Sequence, residues 1–439
     1  MGDKMKITFI RPSMAGEQSA DALPPLAFMI LSSLTPSCVD IEFFDERIED
    51  LPLAIDSDVV CFSVEVFSAK RASLLASKYK KQNPGIKIIM GGFYPTACPD
   101  EAKEFADSII IGDAEPVWEQ VIKDLENNEL KGQYVSSNSY MLPFSKMDKS
   151  IFANKNYFKI GVVQWKRGCA FNCNFCSIHS FYKSCILERE IDDVIEEIKH
   201  MKEKVIFITD DNLLHDKVKM KEFLGKLTPL KKKWACQVSI NVTNDDELLG
   251  LMAKSGCIVM LIGFESLNKE NLMEIGKKQN IACNDYESAI KSIYSHGIMI
   301  YATFIFGYPH DNLESFDEVY EFAMKHKFLI ANFNPLMAMP STDLYDELKA
   351  KGELVNEKWW ISEEYCYGDA MHYPKNFSSE QLAASCKRLR YKFYSKQSIF
   401  KRMWNLVNLR YLPIFLLINI VLAVEIKRKQ RVKLGGQVT

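Results

Sequence analysis

An excess of charge of one sign is missing from this 439-residue chain: 55 Lys and Arg stand against 57 Asp and Glu, for a net charge of −2. A polyanion partner is therefore not indicated. The sharpest basic run before the tail, Lys231-Lys232-Lys233, reads as a solvated turn, and no basic groove interleaved with aromatics argues for RNA or DNA. A membrane-spanning run is also missing. The apolar segment 411–424 is shorter than the roughly 20 residues a bilayer requires, contains Asn419 and follows Arg410, so an interfacial or docked helix is expected there. Trp404, Tyr411 and the basic flank Lys427, Arg428, Lys429, Arg431 and Lys433 suit peripheral contact with an anionic membrane; packing on the protein's own surface is the alternative. No secretory signal is evident, which places twelve cysteines in a reducing, cytoplasmic setting. Nine of the twelve show no metal spacing and read mostly as small buried hydrophobes.

The length exceeds one ordinary core, so two domains and an appendage are expected. Apolar strand candidates at 6–10, 39–44, 58–62, 86–90 and 108–111 alternate with helical segments such as 22–34 and 69–82. That alternation predicts a doubly wound, Rossmann-like parallel sheet over residues 1–130, with ligands beyond the strands' carboxyl ends, where Ser63 and Gly91-Gly92 lie. Residues 131–158 lack periodicity and read as a linker. A second series over 159–352 has strands at 160–165, 205–209, 234–240, 258–262, 299–306 and 330–335 with helices between them, which fits a partial (β/α)6 barrel with its chemistry at the strands' carboxyl ends. Asn244 and Asp311 look like helix N-caps. In the C-terminal region 353–439, the aromatics around Trp359-Trp360 are expected to cover the barrel mouth or build a substrate pocket, and helical patterns follow.

Three cysteines fall within eight residues: Cys169, Cys173 and Cys176 in Arg167-Gly168-Cys169-Ala170-Phe171-Asn172-Cys173-Asn174-Phe175-Cys176. Structural zinc takes four protein ligands, commonly as two pairs, and iron–sulfur clusters usually take four cysteines. A compact triplet fits neither habit, although a zinc knuckle closed by His179 or Cys185 remains a competing reading, and with it a non-enzymatic zinc-binding module. Three thiolates can hold a four-iron cluster while leaving one iron open.

This spacing, with an aromatic residue before the last cysteine, resembles the signature of the radical S-adenosylmethionine superfamily. The resemblance implies that Cys169, Cys173 and Cys176 ligate a [4Fe-4S] cluster whose open iron chelates S-adenosylmethionine. Reductive cleavage then gives a 5′-deoxyadenosyl radical that abstracts hydrogen from an unactivated carbon. By the same resemblance Phe175 packs beside the adenine, Asp210 and Asp211 hold the ammonium, Gln237 and Glu265 meet the ribose or amino-acid portion, and Gly307 presents backbone to adenine. Gly91-Gly92 and the Gly112-Asp113-Ala114-Glu115 segment resemble the cobalamin-binding domain of the subgroup that includes the anaerobic magnesium-protoporphyrin cyclase and hopanoid methylases. One departure stands out: all seven histidines follow Cys176, so the N-terminal domain has no axial histidine for cobalamin. The resemblance implies cobalamin-dependent C-methylation of a small or lipid-like substrate, with flavodoxin or ferredoxin as electron donor. Cobalamin-independent cyclisation, rearrangement or dehydrogenation is the alternative. Tyr308, His310, His179, Tyr301 and Cys366 are lone polar residues that take no assigned role.

Overall fold

A computed structural model describes residues 4–137, 141–283 and 285–437. The chain forms two compact units. The first comprises the described parts of 1–158, 358–366 and 432–439. Its six strands, β1 (Lys6–Arg11), β2 (Asp40–Asp45), β3 (Val59–Ser63), β4 (Lys87–Gly91), β5 (Ser108–Ile111) and β6 (Gln133–Val135), form one parallel sheet in the order β2-β1-β3-β4-β5-β6. Ile7, Phe9, Val59, Cys61, Ile89 and Ile110 are buried in its core, as expected for strands covered on both faces. The strand order reverses between β1 and β3, and a doubly wound sheet opens a ligand crevice at such a reversal. There Arg11 Nη1 donates to the Ser63 carbonyl at 3.0 Å.

The expected linker folds with this unit. Gln133–Val135 extends the sheet, Leu142 is buried, and the Tyr157 hydroxyl donates to Asp45 Oδ2 at 2.9 Å. Its apolar anchors are too sparse for a period, and the partners they pack against are far away in sequence. In the aromatic stretch the Trp359 ring lies 5.0 Å from Phe67 at a tilt of 51°, and Trp360 Nε1 donates to Glu101 Oε2 at 3.0 Å, so both tryptophans pack within the first unit.

The second unit comprises the described parts of 159–357 and 367–431. It begins with β7 (Gly161–Val163) and the two-residue strands β8 (Lys166–Arg167) and β9 (Leu187–Glu188), which pair antiparallel with each other. β10 (Val205–Ile208), β11 (Lys233–Gln237), β12 (Cys257–Glu265), β13 (Met299–Phe306) and β14 (Ile330–Pro335) follow. Together with β7 they form a six-stranded parallel sheet in the order β14-β13-β12-β11-β10-β7, the expected partial barrel. Val163, Ile206, Met260, Ile300 and Phe333 are among its buried residues.

Two caps sit one residue later than expected. Asn244 ends a short 3-10 turn, and Asp245 instead accepts from Leu248 N. Asp311 is drawn into the turn before its helix, so Asn312 caps it and exchanges hydrogen bonds with Ser315.

The C-terminal helices Ser379–Phe393, Lys396–Met403, Leu406–Arg410 and Leu412–Lys429 close on Arg402, which is fully buried. Its guanidinium donates to the Phe328, Leu329 and Phe393 carbonyls and to Asn419 Oδ1 at 2.7–3.0 Å. Asn419, a polar break in an apolar run, is thus the residue that docks the last helix. Among the described residues no helix is long and apolar enough to cross a membrane. Replacing Arg402 with Met strands several buried acceptors, so urea titration should show a loss of at least about 3 kcal/mol in folding stability.

Candidate active site

The cysteine loop hangs between β8 and β9, and three attachments shape it. Gly168 enters with φ +87°, and an added Cβ would meet the Cys185 carbonyl oxygen at 2.1 Å, so only glycine fits. The Gly168 amide donates to Asp211 Oδ2 at 2.7 Å. Farther along, Asn174 N donates to the Ile275 carbonyl at 3.3 Å, while the Asn174 carbonyl accepts from Leu344 N at 3.0 Å. Cys173 is buried and Cys169 and Cys176 are half-buried; all three are free thiols. Burial pushes the Cys173 thiol up to about 11, and the Lys277 ammonium is the largest opposing influence. Among the described residues no three His, Cys, Asp or Glu side chains form a group that could hold a metal ion. His179 Nδ1 lies 3.3 Å from the Ser184 hydroxyl, and Cys185 is exposed.

Facing the loop is an arrangement that sequence reasoning only half anticipated. At the end of β12 the register with β13 slips between Gly263 and Glu265, and Glu265 takes φ +62°, a left-handed conformation costly for a side-chain-bearing residue. The kink folds the carboxylate back over Gly263, where an added Cβ would lie 2.1 Å from Glu265 Oε1. Lys277 Nζ donates to that oxygen at 2.5 Å and lies 5.8 Å from the centre of the Phe175 ring. Burial pulls the Lys277 ammonium down, but Glu265 and Cys173 outweigh it and the net direction is up, so the lysine is charged. Nothing local marks Lys277 in a chain rich in lysine; only its position across from the cysteines does.

The acidic run divides. Asp210 is 1 % exposed, Oδ1 accepts from Trp165 N at 2.8 Å, and Oδ2 has no hydrogen-bond partner. Burial raises its carboxyl to about 7. Through Oδ1 this group braces the segment that follows β7. Asp211 holds the cysteine loop through Gly168, and Gln237 Nε2 donates to the Asp211 carbonyl at 2.9 Å.

Gly307 sits in a tight turn. It has φ +110°, and the Cβ direction is filled by His372 Cε1 at 2.8 Å and Leu382 Cδ2 at 2.9 Å. His372 Nε2 hydrogen-bonds the Gly307 carbonyl at 2.9 Å, and Asp311 Oδ2 accepts from the Gly307 and Tyr308 amides. It is a packed turn, and the backbone on this side is already covered. The turn leaves Tyr308 2 % exposed with a hydroxyl that has no partner, in the field of Glu265 and Cys173. Ser63, Gly91 and Gly92 lie in the first unit. Gly92 has φ +104°, and a Cβ there would meet the Val64 carbonyl oxygen at 2.8 Å.

The second unit is thus a partial parallel barrel carrying three loop thiols opposite a lysine–glutamate pair. Residues 163–323 match the Radical SAM superfamily. The bacteriochlorophyllide d C-12(1)-methyltransferase of Chlorobaculum tepidum is 31% identical over 392 residues, 86% of this chain and 84% of the relative. The anaerobic magnesium-protoporphyrin IX monomethyl ester cyclase of Rubrivivax gelatinosus is 25% identical over 84% of this chain and 74% of its own length. The structure of the methyltransferase TsrM from Kitasatospora setae, with cobalamin and a [4Fe-4S] cluster bound, has a TM-score of 0.62 at 14% identity, covering 80% of this chain and 75% of that one. The chain belongs to the radical SAM superfamily, whose members use a [4Fe-4S] cluster and S-adenosylmethionine.

Gly168→Ala should leave the barrel folded yet sharply reduce iron and sulfide incorporation on anaerobic reconstitution, as chemical iron and sulfide assays would record. Asp210 yields a pH signature. Its folded value near 7 lies above the unfolded one near 4, so the folded state binds the extra proton, and this contribution to stability is lost as pH rises from about 4 through 7. Thermal melts across that range should fall less steeply for Asp210→Asn than for the parent protein.

Proposed function

We propose that this chain is a cobalamin-dependent radical S-adenosylmethionine methyltransferase that acts on an unactivated carbon of a small-molecule or lipid-like substrate. The observation that carries the reading is the glycine-shaped loop of three thiols held against the Lys277–Glu265 pair at the carboxyl edge of a six-stranded parallel sheet. Three sulfur donors with no imidazole or carboxylate among them suit an iron–sulfur cluster. Cys169, Cys173 and Cys176 would hold it, and the group supplies, with S-adenosylmethionine, a 5′-deoxyadenosyl radical for hydrogen abstraction. Lys277 places a buried positive charge opposite the thiolates, which favours their ionised form. Glu265, fixed by Lys277 and by its kinked backbone, offers an acceptor to a ribose hydroxyl or ammonium. Phe175 provides an apolar wall. Tyr308, whose hydroxyl has no hydrogen-bond partner among the described residues, would donate to an oxygen of the bound cofactor.

Cobalamin in the first unit is supported by the strand reversal at β1 and β3 and by the TsrM structure with cobalamin bound. Because no histidine lies in 1–158, 358–366 or 432–439, cobalamin would sit there without an imidazole below it. The Chlorobaculum tepidum relative is named for a bacteriochlorophyllide, which makes a tetrapyrrole the first substrate to test. The reaction would take place in the cytoplasm with a low-potential donor such as flavodoxin or ferredoxin. A cobalamin-independent cyclisation is the second reading, favoured by likeness to the cyclase.

Anaerobically reconstituted protein, desalted after incubation with cobalamin, is expected to keep corrin absorption beside the iron–sulfur shoulder. A shoulder alone would favour the cyclase-like reading, and zinc without iron or acid-labile sulfide would favour a zinc module. With strong reductant the protein should release 5′-deoxyadenosine. Replacing Cys169, Cys173 and Cys176 together with Ala should remove that product; deoxyadenosine from the triple variant refutes the proposal.

A further inference from the structure

The last helix, Leu412–Lys429, is docked through one side and bare on the other. Phe415 and Asn419 are buried, whereas Leu417, Ile420 and Val424, spaced three and four residues apart, are 52%, 59% and 58% exposed. This spacing puts the three on a single stripe. In and between the shorter helices that pack against it, Phe400, Trp404 and Leu406 are also exposed, the last 86%. So many large apolar side chains bare to water within 25 residues are uncommon on a protein with no partner for them.

Charge decides among occupants. From Gln381 to Arg431 the chain carries twelve Lys and Arg and one acid, Glu425, although the whole protein is slightly acidic. Arg390 and Arg402 are buried, Arg388 and Lys392 pair with Asp317 and Glu321 of a neighbouring helix, and Arg428 and Lys429 pair with Glu425, while Lys396, Lys401, Arg410, Lys427 and Arg431 are exposed. A second copy docked here would bring two basic surfaces together, which repel. An anionic bilayer instead offers negative headgroups to the lysines and an acyl boundary to the leucines and tryptophan. The helix cannot cross that bilayer, since no described helix is long and apolar enough. We propose that this face is a peripheral docking surface for an anionic lipid membrane, with the long helix lying along the interface. The inference is independent of the radical chemistry.

Full-length protein, as holoenzyme, should float with vesicles of phosphatidylcholine and phosphatidylglycerol, stay free of vesicles of phosphatidylcholine alone, and be released by high salt. Lys401→Gln with Lys427→Gln should weaken binding about five-fold per lysine. Leu417→Ser with Ile420→Ser should also abolish flotation, while far-ultraviolet circular dichroism and the cluster absorption remain those of the parent. Failure of the parent protein to bind anionic vesicles overturns the proposal, as does undiminished binding by both double variants. So does a dimer in sedimentation velocity that Leu417→Ser and Ile420→Ser dissolve, because the face would then belong to a second copy.

Discussion

The hydrogen bond from the Gly168 amide to Asp211 is the constraint on which the active loop depends. A loop carrying three thiols has to expose sulfur in one direction while its own backbone groups are satisfied elsewhere. Gly168 makes the turn possible because nothing larger than hydrogen fits against the Cys185 carbonyl, and Asp211 then fixes the direction in which the loop leaves. Asp210 next to it holds the end of the preceding strand from within the core. Two adjacent carboxylates thus join β10 to the beginning of the loop, with both accepting from backbone amides.

Opposite the loop, the structure accepts two local costs. Glu265 sits in a left-handed conformation, worth about 1–3 kcal/mol. Its pairing with Lys277 takes two charges out of water, and such a pair seldom repays its desolvation by Coulomb attraction alone. Neither feature helps the fold. Both make sense where a charged cofactor must find fixed partners, since preorganised groups need not rearrange when it binds. The packed Gly307 turn, clamped by His372 and Asp311, leaves the Tyr308 hydroxyl without a hydrogen-bond partner among the described residues.

Much of the architecture was legible along the chain. Strands covered on both faces are near-continuous apolar runs, so β13 and β14 have the bounds expected from composition, and the other barrel strands differ by a few residues at their ends. The cysteine triplet was legible for a different reason: metal chemistry demands particular atoms at close spacing, and such demands are local. The surroundings of single residues were not legible. What packs around Asp210 and Gly307 is contributed by Trp165, His372 and Leu382 from other segments. The partners of Trp359 and Trp360 were hidden for the same reason, since Phe67 and Glu101 lie far upstream.

The sequence by itself determined the order of strands and helices, the spacing of the three cysteines, the lack of a histidine before Cys176, and an apolar C-terminal helix too short to cross a bilayer. All of these depend on residue type and short-range spacing. Only the tertiary structure decided that Lys277 faces the cysteines, that Asp211 rather than Asp210 meets their loop, that the described part of 131–158 belongs to the first unit, and that Asn419 turns inward to Arg402. Those outcomes depend on contacts between residues far apart in the chain, where burial and the satisfaction of hydrogen bonds, rather than local preference, set each side chain's task.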